Sequence, residues 1–390
     1  MKKFGLALLV ACGLAGLAYG FTRHPALAAD HKVFVTGVLS GVQADSLETG
    51  QILKTFDTGK LPHNLLVSPD GKRIYVTNVG SQSVTEIDTQ TLTTIKDMLV
   101  GAVPQNVWHQ KLGAAKFAHV TSCYACHQGA VGNEPVAMAW AGDGHSLLVT
   151  EARGRAVAWL DPATGRCTRE VHFDLPVPSS PSTVVVDPTT HNVWVLHSYR
   201  PPERKQGTGD ALAEARMEAN FSHDPPLGQH DSFVTVYDPQ MKHELKRLRM
   251  KWETPSGAVF SPDARLLYVA YRSTNLVAVF DTRAMRLVKT FEVGISPVGL
   301  ALSNDGRWLY VACLFSKPPI TQIVDTRTGA IKASLGIPPS PSRISVDPGT
   351  GYLYVTATGS NRVLEIDPVK KKLLRMLPGG HQSLDCALTN

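Results

Sequence analysis

The stretch Val67–Asn78 reads VSPDGKRIYVTN, in which a tight turn separates two β-strands. Proline presets the backbone for the turn, and glycine accepts the positive φ that such turns require. A third strand follows at Ser83–Asp88 and a fourth begins near Thr93. Four short strands joined by tight turns predict one up-and-down antiparallel sheet.

The same four-strand unit recurs along the chain. Clear copies begin at Phe260, Leu302 and Val346, and weaker copies begin near Ala139 and Val185. A proline precedes the first strand of each copy, at Pro62, Pro135, Pro181, Pro255, Pro297 and Pro341. Pro255 and Pro297 are 42 residues apart, and Pro297 and Pro341 are 44 apart. A period of about 40–45 residues is that of a four-stranded propeller blade.

The fold class predicted is therefore all-β, a β-propeller of four-stranded blades. Six blades are evident, and the two ends of the chain supply a seventh. Leu384–Leu388 reads as an innermost strand, and the strands from Val33 through Phe56 supply the other three. Pairing the termini in this way removes the open sheet edges. Seven blades are expected, and eight are the alternative.

The repeat phrase also carries a family resemblance. Ser68-Pro69-Asp70-Gly71 followed by Tyr75-Val76-Thr77-Asn78 resembles the YVTN family of β-propeller repeats. The resemblance extends over residues 30–390 and implies the propeller fold. Similar repeats occur in propeller lactonases, amine dehydrogenase heavy chains and haem-carrying propellers, so the fold alone does not specify the chemistry.

Two copies are longer than the others by about thirty residues each. The first excess, 102–134, lies between the outer strand of one blade and the inner strand of the next. The second, 200–231, lies between the second and third strands of the blade that begins at Pro181. In an up-and-down blade both connections emerge at the face where the inner strands begin. Long loops on a rigid scaffold commonly carry function.

The first insertion contains a Cys-x-x-Cys-His motif, at Cys123, Cys126 and His127. This spacing is the attachment signature of c-type haem, in which two thiols bind the porphyrin covalently and the histidine ligates the iron. A disulfide, a redox dithiol and part of a zinc site are the alternatives. We therefore predict one covalent haem c on a short, partly helical insertion, with His127 as the proximal iron ligand.

The sixth iron ligand is open at this point. Met217 and His230 in the second insertion are the preferred candidates, and His223 lies near them. His109 and His119, in the first insertion, are weaker candidates, and Met98 and Met138 flank that insertion. A further set faces the predicted channel mouth. His63 follows Pro62, His381 stands where an opening proline is expected, and His197 is in the position equivalent to Asn78.

These three histidines either cap strand ends as polar rim residues or line a second ligand pocket. Dihaem nitrite reductases and their maturation proteins are similar in holding a second haem on a propeller. This sequence lacks the separate cytochrome domain of those reductases.

The first 29 residues have the pattern of a secretory signal peptide. Lys2 and Lys3 precede an apolar run, and small residues follow at Ala26–Ala29. Lipidation at Cys12 or an uncleaved anchor are the alternatives, and all three place residues 30–390 outside the cytoplasm, in a periplasm. The chain is 43% apolar and 18% charged, with a net charge of +6 and no Lys/Arg tract. This composition excludes wholesale disorder and argues against a nucleic-acid partner.

Three functions are compatible with these features. The first is one-electron transfer between a periplasmic c-type haem and a redox partner protein. The second is a haem-dependent oxidoreductase, or a subunit of a dehydrogenase or nitrite-reductase-like system, with a substrate or second cofactor at the mouth. The third is a non-enzymatic scaffold or haem-handling chaperone.

Overall fold

The computed structural model describes residues 31–101, 133–176, 179–199, 231–252 and 254–389. These residues form seven four-stranded antiparallel sheets and one short 3-10 helix, Thr358–Ser360. The seven-bladed prediction is confirmed, and the eight-bladed alternative is wrong. Within these ranges no helix is long and apolar enough to cross a membrane.

The blades are numbered in ring order, each from its innermost strand outwards. Blade 1 contains β28 (Ser383–Thr389), β1 (Lys32–Gly37), β2 (Gly41–Ser46) and β3 (Ile52–Phe56). Blade 2 contains β4 (Pro62–Val67), β5 (Arg73–Asn78), β6 (Ser83–Asp88) and β7 (Thr93–Leu99). Blade 3 contains β8 (Pro135–Trp140), β9 (Leu147–Glu151), β10 (Ala156–Asp161) and β11 (Arg166–His172). Blade 4 contains β12 (Ser179–Val186), β13 (Val193–Tyr199), β14 (Ser232–Tyr237) and β15 (Glu244–Met250).

The remaining three blades follow the same plan. Blade 5 contains β16 (Pro255–Phe260), β17 (Leu266–Tyr271), β18 (Leu276–Asp281) and β19 (Arg286–Glu292). Blade 6 contains β20 (Pro297–Leu302), β21 (Trp308–Cys313), β22 (Ile320–Asp325) and β23 (Ile331–Gly336). Blade 7 contains β24 (Pro341–Val346), β25 (Leu353–Ala357), β26 (Arg362–Asp367) and β27 (Lys372–Pro378).

The two ends of the chain close the ring as the sequence predicted. Strand β28 pairs antiparallel with β1, with Leu388 opposite Val33 and Cys386 opposite Val35. Each innermost strand contacts the innermost strand of the next blade, and β28 lies between β24 and β4. The hydrogen-bonded closure therefore joins the last strand of the chain to the first.

The core lies between neighbouring blades. In β17, Leu267 and Val269 face blade 4 and pack with Trp194 in one apolar cluster. The alternate residues Tyr268 and Ala270 face blade 6 and pack in another. Both faces of the middle strands are thus buried, which explains their near-continuous apolar sequence, whereas the outer strands are largely exposed.

The Ser-Pro-Asp-Gly turn is closed by its own side chains. The Ser68 hydroxyl donates to Asp70 Oδ1 at 2.6 Å, and the backbone N–H of Lys72 donates to the same oxygen at 3.0 Å. Gly71 has a φ of +72°, which favours glycine. The pairs Ser261–Asp263 and Ser303–Asp305 make the same 2.6 Å bond. The phrase that identified the repeat therefore fixes the turn between the first two strands of a blade.

The opposite face, where the inner strands begin, is called here the mouth face. Strand β7 ends at Leu99 and β8 begins at Pro135, so the chain leaves and rejoins the described structure at this face around residues 102–132. Strand β13 ends at Tyr199 and β14 begins at Ser232, so the chain also leaves and rejoins the described structure at this face around residues 200–230. Residues 102–132 and 200–230, with the predicted short helix, lie outside the described residues.

Candidate functional site at the mouth face

The predicted haem residues fall outside the part of the chain that the structure describes. They are Cys123, Cys126, His127, His109, His119, Met217, His223 and His230. The described part contains the predicted mouth histidines His63, His197 and His381, and the flanking residues Met98 and Met138. The geometry of the mouth face can therefore be built from the strand ends that surround the insertions.

The register of the inner strands shows which residue opens each blade. Pro62 pairs with Asn78, and a bulge follows before Leu65 pairs with Val76. In blade 1 the same spacing pairs Ser383 with Gly37 and Cys386 with Val35. The prediction that His381 occupies the opening position is therefore wrong, because Ser383 does. Blade 1 has no opening proline, so its register was not readable from the sequence.

His381 lies instead in the exposed loop before β28. Its backbone N–H donates to the Ser40 hydroxyl at 2.9 Å, and the loop packs closely against Gly37. His63 lies one residue into β4 and is half-buried, with Nδ1 3.2 Å from the carbonyl oxygen of Val136. The His63 carbonyl accepts a bond from the Thr36 hydroxyl at 3.3 Å. His63 and His381 therefore lie on the mouth side of the contact between blades 1 and 2.

A buried carboxylate, Asp385, joins the inner strands of blades 1 and 2. Its Oδ2 accepts bonds from Asn64 Nδ2 at 2.6 Å and from the Leu65 N–H at 3.0 Å. Its Oδ1 accepts the N–H of Cys386 at 2.9 Å. The Asp385 side chain is buried, so these bonds are shielded from water.

Threonines at the ends of the second strands extend this network. The Asp385 N–H donates to the Thr36 hydroxyl at 2.9 Å, and the Asn64 N–H donates to Thr77 Oγ1 at 3.0 Å. The Thr77 hydroxyl in turn donates to the Val136 carbonyl at 3.1 Å, in the next blade. These bonds satisfy backbone groups at the inner-strand bulges and hold the rim of blades 1 to 3 rigid.

His197 has the predicted position in the register but does not line the open mouth. It pairs with Pro181 as Asn78 pairs with Pro62. Its side chain is fully buried, with Nε2 2.8 Å from Thr235 Oγ1 and the ring edge-on to Phe173. Burial lowers the pKa of His197 to about 3, so the ring is neutral.

The two flanking methionines are packing residues. Met98 and Met138 are both buried and belong to one apolar cluster between blades 2 and 3, together with Tyr75 and Val149. Both side chains therefore pack between the blades.

Sequence reasoning missed a group of acidic residues at the stem of the first insertion. Glu151 ends β9 and is fully buried, and Asn133 Nδ2 donates to its Oε1 at 3.2 Å. A Cβ built on Gly101 would collide with Glu151 Oε1 and would lie 2.7 Å from Glu170 Oε1. Burial and the nearby Glu170 raise the pKa of Glu151 to about 7, against the hydrogen bond from Asn133. The only signal in the sequence was an acidic residue ending the apolar strand LLVTE.

An ion pair lies beside this group. Glu134, also fully buried, pairs with Arg153 Nη2 at 3.2 Å. Among the described residues, no group of three or more His, Cys, Asp or Glu side chains is arranged to hold a metal ion.

Comparison with known proteins gives a second indication of function. Residues 228–337 match the family model described as the Cytochrome D1 heme domain. The match spans strands β14 to β23, in blades 4 to 6, and so lies apart from the Cys-x-x-Cys-His motif. The chain is also 25% identical over 142 residues to dihydro-heme d1 dehydrogenase of Pseudomonas aeruginosa, which is 32% of this chain and 29% of that protein.

A shorter match is to the uncharacterized protein YncE of Salmonella typhimurium, at 41% identity over 56 residues, 14% of this chain and 16% of that protein. The chain thus spans less than a third of the length of these curated relatives.

Solved structures with the same fold cover almost the whole chain. Hydrazine synthase of Kuenenia stuttgartiensis superposes with a TM-score of 0.62 at 15% identity, covering 90% of this chain and 98% of that one. The periplasmic gluconolactonase of Pseudomonas aeruginosa gives 0.62 at 17% identity, covering 92% and 99%. At these identities the likeness shows the propeller fold alone.

Proposed function

We propose that this chain is an exported haem protein, in which the propeller carries one covalent c-type haem and exchanges single electrons with a partner protein. The observation that carries the proposal is Cys123, Cys126 and His127 at haem-attachment spacing, on an insertion that begins and ends at the mouth face. The match to a haem domain family arises from blades 4 to 6, so it supports a haem function independently of the motif. That family model is named for a d1 haem, whereas the motif predicts covalent c-type attachment.

The donor set fits a c-type haem by its chemistry. Two thiols and an imidazole within five residues can form two thioether bonds and one axial bond, and the signal-like residues 1–29 favour the export that such attachment needs. Cys167, Cys313 and Cys386 lie in strands and have no such spacing. Cys123, Cys126 and His127 would therefore hold the haem, which supplies one-electron chemistry when it is bound.

The second insertion supplies the preferred sixth ligand, Met217 or His230. Only blade 3 separates the attachment points of the two insertions, and both insertions leave from the same face. His109 and His119 are the weaker candidates. Met98 and Met138 are set aside because both are buried in the core between blades 2 and 3. Methionine would raise the reduction potential relative to histidine.

The described residues contribute a stiff platform beneath this site. The bonds that join Asp385, Asn64 and Thr36 link blades 1 and 2, and Thr77 links blade 2 to blade 3. A rim held by buried hydrogen bonds keeps groups mounted on it at fixed separations. Such a platform suits electron transfer, which needs little movement of the protein.

An oxidoreductase with a substrate or second cofactor at the mouth is the second candidate. The observation that favours it is the similarity to a protein named dihydro-heme d1 dehydrogenase. His63 and His381 are the described mouth histidines that would face such a ligand, whereas His197 is buried. Catalysis at the iron would require an open sixth position, whereas a six-coordinate haem favours electron transfer.

The test is the absorption spectrum of protein produced in a host that attaches haem c. We expect a c-type spectrum in the oxidised and reduced protein and its loss in Cys123→Ala and Cys126→Ala. Cys167→Ala is the matched control, because Cys167 is half-buried outside the motif and should leave the spectrum unchanged. A folded wild-type protein without haem would contradict the proposal. Binding of carbon monoxide to the reduced protein would favour the oxidoreductase over the electron carrier.

A further inference from the structure

The carboxylates at the stem of the first insertion have bonding capacity that the described side chains do not use. Glu151 comes from β9 and Glu170 from β11, and both carboxylates approach the same point above Gly101. Only glycine leaves this point open, because a Cβ at Gly101 would collide with Glu151 Oε1. Asn133 Nδ2 would lie 2.6 Å from the same Cβ. Three polar groups from blade 3 and the stem therefore converge over Gly101, at the end of blade 2.

One oxygen of this group has no hydrogen-bond partner in the part of the chain that the structure describes. Glu151 is fully buried and its Oε1 accepts the bond from Asn133, whereas its Oε2 accepts none from these residues. A buried carboxylate oxygen without a donor or cation is costly. The second carboxylate at the same point, Glu170, adds like-charge repulsion, and its Oε2 lies 3.2 Å from His172 Nε2.

A proton or a cation could relieve this arrangement. A proton on Glu151 would remove one charge, and the Glu170 carboxylate at the same point could accept the resulting O–H. A divalent cation would instead neutralise both carboxylates, contacting Glu151 Oε1 and Glu170 Oε1 at the point above Gly101, with Glu151 Oε2 available for bidentate binding. We propose that Glu151 and Glu170 bind a calcium ion over Gly101, completed by the amide oxygen of Asn133 after a flip of its side chain and by water.

The ligand chemistry favours calcium among the common cations. All the donors are oxygens, which excludes the soft thiolate preference of zinc and copper sites. Calcium accepts irregular sets of six to eight oxygens, including bidentate carboxylates, whereas magnesium demands a near-ideal octahedron. An extracytoplasmic location, as the signal-like N-terminus predicts, would also provide calcium at the concentrations that weak sites need.

The place of this site in the chain indicates its effect. Gly101 is the last described residue before the first insertion and Asn133 is the first after it. An ion bound here would hold both ends of the insertion against blade 3. The inference does not require haem, since every residue of the proposed site is in the described part of the propeller.

The experiment uses the full exported protein after removal of metal with EGTA. Calorimetric titration with calcium chloride should give one site per chain, with a dissociation constant of about 10⁻⁴ to 10⁻³ M, as in extracellular calcium modules. Added calcium should raise the melting midpoint, and EGTA should reverse the rise. Glu151→Gln and Glu170→Gln should both abolish the binding and the shift.

Glu244→Gln is the matched control, because Glu244 pairs with Arg247 on the exposed outer strand of blade 4 and should leave calcium binding intact. If Glu151→Gln fails to fold, the calcium titrations of Glu170→Gln and of the wild type still test the proposal. Glu170 is partly exposed, so its substitution should leave the fold intact. Absence of calcium binding in folded wild type would overturn the proposal, and so would undiminished binding in either stem variant. The haem spectrum is a separate readout, so its absence would refute the proposed function without affecting this result.

Discussion

Asp385 is the residue through which the last strand of the chain is fixed to blade 2, and Asp385→Asn tests how the ring is closed. Its Oδ2 receives two bonds, at 2.6 Å from Asn64 and at 3.0 Å from the Leu65 N–H. Asparagine has one acceptor oxygen, so it can accept either from Asn64 and Leu65 or from Cys386, and its NH2 group then faces the donors on the other side. The variant therefore loses at least one bond, leaves buried donors facing each other and removes the charge from the bonds that remain.

The size of the effect follows from the charge and burial of this carboxylate. A hydrogen bond to a charged group contributes about 1.5–3 kcal/mol net, and a buried donor left without an acceptor costs about 1–3 kcal/mol. The two bonds share one oxygen, so their effects are not additive. We expect Asp385→Asn to lower the free energy of unfolding by about 2–4 kcal/mol, in the range for losing a buried hydrogen bond to a charged group and leaving its donor without an acceptor.

Urea unfolding followed by tryptophan fluorescence measures this change. Asp263→Asn is the control, because Asp263 accepts its bonds in an exposed turn of blade 5 and should cost no more than about 1 kcal/mol. If Asp385→Asn unfolds at the same urea concentration as Asp263→Asn, the contact between β28 and blade 2 does not secure the ring.

Three further predictions concern stability. Burial raises the pKa of Asp45 to about 7 from an ordinary value of 3.8, so the folded state holds a proton that the unfolded chain releases, and stability falls as the pH rises from about 4 to about 7. Asp45→Asn should remove this pH dependence and raise the free energy of unfolding, measured in urea at pH 7, by about 2–4 kcal/mol. A variant with the same pH profile as the wild type would contradict the prediction. Gly299→Ala would place a Cβ against a backbone oxygen of blade 7 and should lower the melting midpoint. Gly336→Ala is the control, because nothing lies within 4 Å of its Cβ, and equal midpoints in the two variants would refute the close approach at Gly299. Thr77→Val removes the hydroxyl bonded to Asn64 and Val136 and should cost about 1–3 kcal/mol in the same assay, a loss that a neutral result would disprove.

The fold was predictable from the sequence because its determinants are local. The Ser68–Gly71 turn is closed by side chains within the turn itself, so the same letters mark the same turn wherever they occur. The opening prolines lie at the first residue of five inner strands and at the third residue of β12, and their spacing gives the blade length. The two termini could be joined because each supplied the strands that the other lacked.

The site was less predictable because burial depends on contacts between blades. His197 was assigned the correct register position, but Phe173 covers it from blade 3. His381 was misassigned because blade 1 opens with Ser383 rather than proline. Glu151 resembled an ordinary strand-end residue, and nothing local to it indicates that Gly101 of the preceding blade lies over its carboxylate.

The intact mass of the exported protein tests the central claim most directly. We predict a polypeptide mass increased by that of one haem. A smaller fraction of the Cys123→Ala and Cys126→Ala proteins should carry this added mass, whereas Cys167→Ala should carry it as the wild type does. A wild-type mass equal to that of the polypeptide alone, from a host with working haem attachment, would contradict the account.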